Sequence, residues 1–89
     1  MLVALIARDK PDALQTRLDN RDAHIAYLKS SNLVSQAGPL LDTNGDMVGS
    51  LIVLEVDDMS DAEAWAASDP YALAGLFQSV DLIPWNKVI

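Results

Sequence analysis

The chain has no cysteine. That excludes a disulfide framework, a thiolate zinc site and a cysteine nucleophile. Glycine and proline are scarce, four of each, and no linker, repeat or low-complexity tract appears. Uncharged runs such as Met47 to Leu54 fall far short of the roughly 20 residues of a membrane span. No basic stretch precedes an apolar one at the start, so the expected location is the cytoplasm. Basic residues are also few: six Lys and Arg stand against 13 Asp and Glu, a net charge of −7. Such a chain repels phosphate backbones and anionic lipid, which argues against nucleic-acid and membrane partners.

What is present is apolar. Of 89 residues, 51% are hydrophobic, and the mean hydropathy is +0.15. Disorder is excluded, because there is ample surface to bury. The length allows a single domain over residues 1–89, in which folding hides roughly two-thirds of the surface of the unfolded chain. The charges are unevenly placed. Residues 1–40 carry five basic and four acidic groups, whereas residues 41–89 carry one and nine. The single histidine lies among the cations, so an anionic small molecule is expected to bind there.

Residues 1–7 read as a short continuous apolar strand. Asp9, Lys10 and Pro11 end it, and Pro11 suits the first position of a helix. From there to about Ser30, Leu14, Leu18, Ile25 and Leu28 fall on one stripe. Leu33 to about Asp42 reads as a second strand, interrupted by Gly38-Pro39. Asn44-Gly45 favours a tight hairpin into a third strand, Met47 to Val56. Ser60-Asp61-Ala62-Glu63 reads as a capping box with Ser60 at the N-cap, opening a helix to about Ser68. After Asp69-Pro70, Tyr71 to Leu76 offers one further turn, and Phe77 to Val88 reads as a closing strand. The order β-α-β-β-α-β predicts an α+β, ferredoxin-like protomer.

A sheet wet on one face is polar at every second residue. Here the third strand places Val48, Ile52, Leu54 and Val56 on one side and Met47, Leu51 and Val53 on the other. Two helices cover one face only, and the chain holds no third layer. A second copy, sheet against sheet in a dimeric α/β barrel, is the expected cover, because an open patch of that size invites aggregation.

On a helical wheel the stripe of the first helix centres close to Leu14. Arg21 falls inside that stripe, and Arg17 and His24 lie together along one of its margins. Arginines so placed supply fork-shaped anion donors, and an imidazole beside them moves protons near neutral pH. The plainer alternatives are a structural ion pair for Arg21, an Arg17 that snorkels to Asp12 or Asp9, and a His24 that fills a gap. Asp69 before Pro70 suits an N-cap of the turn at Tyr71, and a carboxylate that caps can also orient an imidazole. Gly38-Pro39 suggests a bulge where backbone approaches a ligand, or a simple kink. Tyr71, Phe77, Trp65 and Trp85 read as core or interface aromatics. No phosphate loop, dinucleotide fingerprint, nucleophile elbow or metal-ligand spacing is present, so neither metal nor cofactor is expected.

Arg17-x-x-x-Arg21-x-x-His24-x-x-x-Leu28, then Gly38-Pro39-Leu40, Gly45, Gly49, Ala67-x-Asp69-Pro70 and Gly75-Leu76 run in an order that resembles the YciI-like family, over nearly the whole chain. The resemblance implies a dimeric α/β barrel in which His24 and Asp69 form the active-site pair. It implies likeness to muconolactone-isomerase-type proteins and, for one assigned activity, dehydrochlorination of a chlorinated hydroxyquinol. The expected function is cofactor-free proton transfer on a small phenolic or carboxylate substrate, with Arg17 or Arg21 stabilising its charge and Gly38 and Pro39 beside it. The competing expectation is a non-catalytic module that binds a small ligand or oligomerises.

Overall fold

A strand whose every second side chain is sealed organises the molecule. In β1 (Leu2–Asp9), Val3, Leu5 and Ala7 are buried while Leu2, Ala4 and Ile6 are only partly so. The computed structural model describes residues 1–89. It continues through α1 (Leu14–Ser30), β2 (Val34–Leu41), β3 (Met47–Glu55), α2 (Met59–Ser68), a one-turn α3 (Pro70–Leu73) and β4 (Phe77–Trp85). The four strands form one antiparallel sheet in the order β2-β3-β1-β4. This is the expected ferredoxin-like α+β fold.

Register decides which residues share the covered face. Val3 pairs with Leu54, Leu5 with Ile52 and Ala7 with Ser50. All of these but Ser50 are apolar and meet Ala62 and Trp65 of α2, with Tyr27 and Leu28 of α1 packed against them. On the other face, Ile6 pairs with Leu51, Ala4 with Ile83 and Leu2 with Trp85. In the single chain Leu51, Ile83 and Trp85 are exposed, so the sheet is apolar on both sides, as its composition implied.

The β2–β3 connection turns where Asn44-Gly45 was expected to turn it. The Asp42 carboxylate accepts from the Asn44 and Asp46 amides at 2.8 and 3.0 Å, and Gly45 takes the left-handed φ of 83° that favours glycine. Gly49 answers a different need. A Cβ there would stand 2.3 Å from the Ala7 carbonyl oxygen, so any side chain would push β3 off β1.

Several local expectations are corrected. Pro11 does not open α1. It precedes Asp12 at φ 58°, the proline-then-left-handed arrangement of a type II turn, and the helix begins at Leu14 with Ala13 as an N-cap lacking a side-chain bond. The N-cap of α2 is Asp58 rather than Ser60, because the Asp58 carboxylate already accepts from the Asp61 amide. Gly38-Pro39 neither interrupts nor bulges β2; the register shifts lie at Val34/Gln36 and Leu40/Leu41. Proline is tolerated because β2 is an edge strand, where a ladder N–H can be missing. The second of those shifts also turns Met47 to the helix side, where it lines a cavity with Ser50 and Ile52, not with Leu51 and Val53.

The largest correction is rotational. The buried residues of α1 are Arg17 and His24, while Leu14, Leu18 and Arg21 are exposed. The edge read as the margin is the buried face, so the helix is turned by about a quarter-turn from the stripe of leucines.

Candidate active site

The site begins with Arg17, since a guanidinium at 3% exposure must be satisfied within the protein. Asp9, at the end of β1, provides this. Arg17 Nε donates to one carboxylate oxygen at 2.8 Å and Nη2 to the other at 2.9 Å, the paired geometry that suits a planar fork. Nη2 also donates to Ser50 Oγ at 3.0 Å. Burial alone disfavours the Arg17 charge. The hydrogen bonds and the negative charge of Asp9, with smaller help from Tyr71, more than offset it and hold the guanidinium above its ordinary pKa. Nη1 bonds to neither Asp9 nor Ser50 and is not among the sealed polar atoms; the Tyr71 hydroxyl interacts with the guanidinium, and Arg17 lines the cavity.

Two turns further along α1, His24 is buried on the same face. Its Nδ1 lies 2.7 Å from Asp69 Oδ1. Asp69 stands between α2 and α3, and the same oxygen accepts the Tyr71 amide at 3.0 Å as the N-cap of α3. Capping and contact with the imidazole are thus met by one atom, while Oδ2 is sealed without a partner. A carboxylate paired with a neutral imidazole accepts the hydrogen of Nδ1, and in that tautomer Nε2 carries the lone pair. Nε2 has no protein partner and is not sealed, and His24 lines the cavity.

The Tyr71 ring packs against both groups. It stacks on the imidazole with centroids 3.8 Å apart and planes within 12°. The Arg17 guanidinium carbon lies over it at 4.7 Å from the centroid, and Phe77 meets it edge-on at 6.1 Å. Burial pushes the Tyr71 phenol up, with Arg17 and then Arg21 pulling against it.

These groups open on a cavity of about 230 Å³ between α1 and strands β2 and β3. Arg17, Arg21, His24, Gly38 and Pro39 all line it, with Ile25, Leu28 and Met47 among the apolar walls. Arg21 is exposed there and makes no ion pair with the protein. Asp69 supports His24 from behind rather than lining the space. The cavity therefore offers an imidazole beside cationic and hydroxyl donors, a set suited to a small anion or phenol.

Three members were missed or left open by the sequence reading. Ser50 had a signal, being the one polar residue on the helix-facing side of β3 beside Ile52 and Leu54. Asp9 and Asp12 are equally eligible in the sequence as partners of Arg17, and only the end of β1 distinguishes them. Tyr71 had no signal beyond following Asp-Pro, a place where a core aromatic is equally at home.

The whole site lies within the residues matched by a known family model. The YCII-related domain matches residues 1–86. The Escherichia coli protein named Protein YciI is 36% identical, over 99% of both chains. An uncharacterized protein of Haemophilus influenzae is 34% identical over the same shares. Among solved structures, the 5-chloro-2-hydroxyhydroquinone dehydrochlorinase of Burkholderia phenoliruptrix, in complex with 2,5-dihydroxybenzoquinone, superposes with a TM-score of 0.90 at 32% identity. That match covers 97% of this chain and 94% of the other. The chain belongs to the YCII-related domain family.

Proposed function

We propose that this protein transfers protons on a small phenolic or carboxylate substrate without a cofactor, His24 acting as base and Asp69 orienting it. The observation that carries the reading is the 2.7 Å contact between His24 Nδ1 and Asp69 Oδ1, with the opposite nitrogen turned to a cavity of single-ring size. Nε2 accepts a proton from the substrate. Negative charge then builds on a substrate oxygen, where Arg17 Nη1 or Arg21 stabilises it. An elimination discharges that charge by expelling an anion, and an isomerisation does so by returning the proton to another atom. Gly38 and Pro39 form the wall facing the helix. The likeness to a dehydrochlorinase that binds 2,5-dihydroxybenzoquinone supports a substituted hydroquinone as the first substrate to assay.

The test is chloride release from 5-chloro-2-hydroxyhydroquinone, alongside thermal-shift screening of phenolic and carboxylate compounds, which raise the melting temperature when they bind the folded state. Turnover by the native chain that disappears in His24→Ala, with the fold retained, supports the reading. Turnover unchanged in that variant, or no ligand across the panel, overturns it in favour of a non-catalytic module. We also propose that the open sheet face seats a second copy, because Leu51, Ile83 and Trp85 form an exposed apolar set there.

A further inference from the structure

We propose that Tyr71 is a ligand-binding residue of this cavity, donating its hydroxyl hydrogen, beside Arg17 Nη1, to a negatively charged ligand oxygen. The inference rests on the functional reading above and adds a third chemical group to the pair at its centre.

Three observations point to it. Tyr71 is only 2% exposed, yet its hydroxyl donates to no acceptor within the protein and is not among the sealed polar atoms. The small accessible part of this residue therefore includes its oxygen, and Tyr71 lines the cavity with Arg17, His24 and Ser50.

The second observation is positional. The Tyr71 amide and His24 Nδ1 share Asp69 Oδ1, at 3.0 and 2.7 Å. The ring is further held by the parallel stack on His24 and the edge contact with Phe77. A hydroxyl on a ring fixed from several sides is placed before the ligand arrives, so little ordering is left for binding to oppose.

The third is electrostatic. Burial favours the protonated phenol, so the hydroxyl is a donor at neutral pH, and the Arg17 charge lies close enough to act on it. Arg17 spends Nε and Nη2 on Asp9 and Ser50. The guanidinium and the Tyr71 hydroxyl interact with each other, so an Nη1 hydrogen and the phenol hydrogen are neighbouring donors, which matches an oxyanion better than either does alone.

The experiment compares native protein with Tyr71→Phe, using 2,5-dihydroxybenzoquinone as the probe. Affinity is measured by titration calorimetry, and imidazole nitrogen shifts of the free proteins by NMR. Because His24 is the only histidine, every imidazole signal is its own. The expected result is a loss of affinity of about ten- to hundred-fold in Tyr71→Phe, the range for a hydrogen bond to a charged group. The tautomer with hydrogen on Nδ1 is expected in both proteins. Equal affinity overturns the role of Tyr71 and leaves the His24–Asp69 reading standing. A weakened affinity accompanied by a changed imidazole tautomer also overturns it, since the loss then acts through His24. Native protein that binds neither this probe nor any other panel member overturns the functional reading and the Tyr71 proposal with it.

Discussion

Replacing Arg17 with Met isolates the energetic centre of the site, because the apolar stem is kept while the fork is removed. Three hydrogen bonds are lost, two to Asp9 at 2.8 and 2.9 Å and one to Ser50 at 3.0 Å. The Asp9 carboxylate, at 5% side-chain exposure, then stays buried without a cation. Breaking one side of such a pair costs about 3–5 kcal/mol, mostly the penalty of the charge left behind. A chain of this length has a total stability of roughly 5–13 kcal/mol, so the single variant loses a large share of it. Asp9→Asn in the same background removes the stranded charge and should return the protein to within about 1–2 kcal/mol of native. Asp9→Asn alone leaves the guanidinium buried beside an amide and is destabilised as well. The two single effects therefore exceed the double effect, by a coupling of about 2 kcal/mol or more. Urea unfolding followed by tryptophan fluorescence, at one fixed protein concentration because self-association shifts apparent stability, measures all four proteins. Single effects that simply add would refute the claim that pairing, rather than packing, holds Arg17 inside.

Gly49→Ala is expected to destabilise by about 1–3 kcal/mol or more, since the 2.3 Å approach to the Ala7 carbonyl is to backbone and cannot be relieved by a rotamer. An unchanged melting temperature would show that β3 has room to move. Asp58→Ala should lower the melting temperature at neutral pH but not in acid. The Ser60 hydroxyl, then the Asp61 amide, hold the Asp58 carboxyl below its usual range. A depressed folded pKa means a contribution present above the unfolded value of ~4 and lost as the pH falls through the folded one. A gap between the two proteins that is constant with pH would refute this. If the open sheet face seats a second copy, light scattering gives twice the chain mass of 9.6 kDa and Ile83→Glu moves it toward one; a native protomer that stays single at micromolar concentration refutes the pairing.

Architecture was legible because it rests on period and punctuation. Apolar runs ended by Lys10-Pro11, Asn44-Gly45 and Asp69-Pro70 mark the elements, and every strand lies within about three residues of its expected ends. The rotation of α1 was not legible, for a physical reason. A helical wheel ranks side chains by polarity, so it assigned the interior to Leu14 and Leu18. It has no means of seeing that Arg17 meets Asp9 and Ser50, or that His24 meets Asp69, partners that make polar groups as suited to the interior as leucine. Tyr71 escaped for a related reason. Its value lies in two side chains from α1 that stack on it, and nothing local records them.

The same burial that hid Arg17 divides the work of the two arginines under the proposed function. Arg17 is neutralised by Asp9 and held on three of its donor bonds, so it contributes direction more than net charge. Arg21 makes no ion pair and stands exposed on the cavity lining. In a chain of net charge −7, whose general field repels anions, an uncompensated cation at that position is what draws one toward the imidazole. Binding that weakens steeply with salt therefore reports Arg21, whereas the orientation of the bound ring reports Arg17.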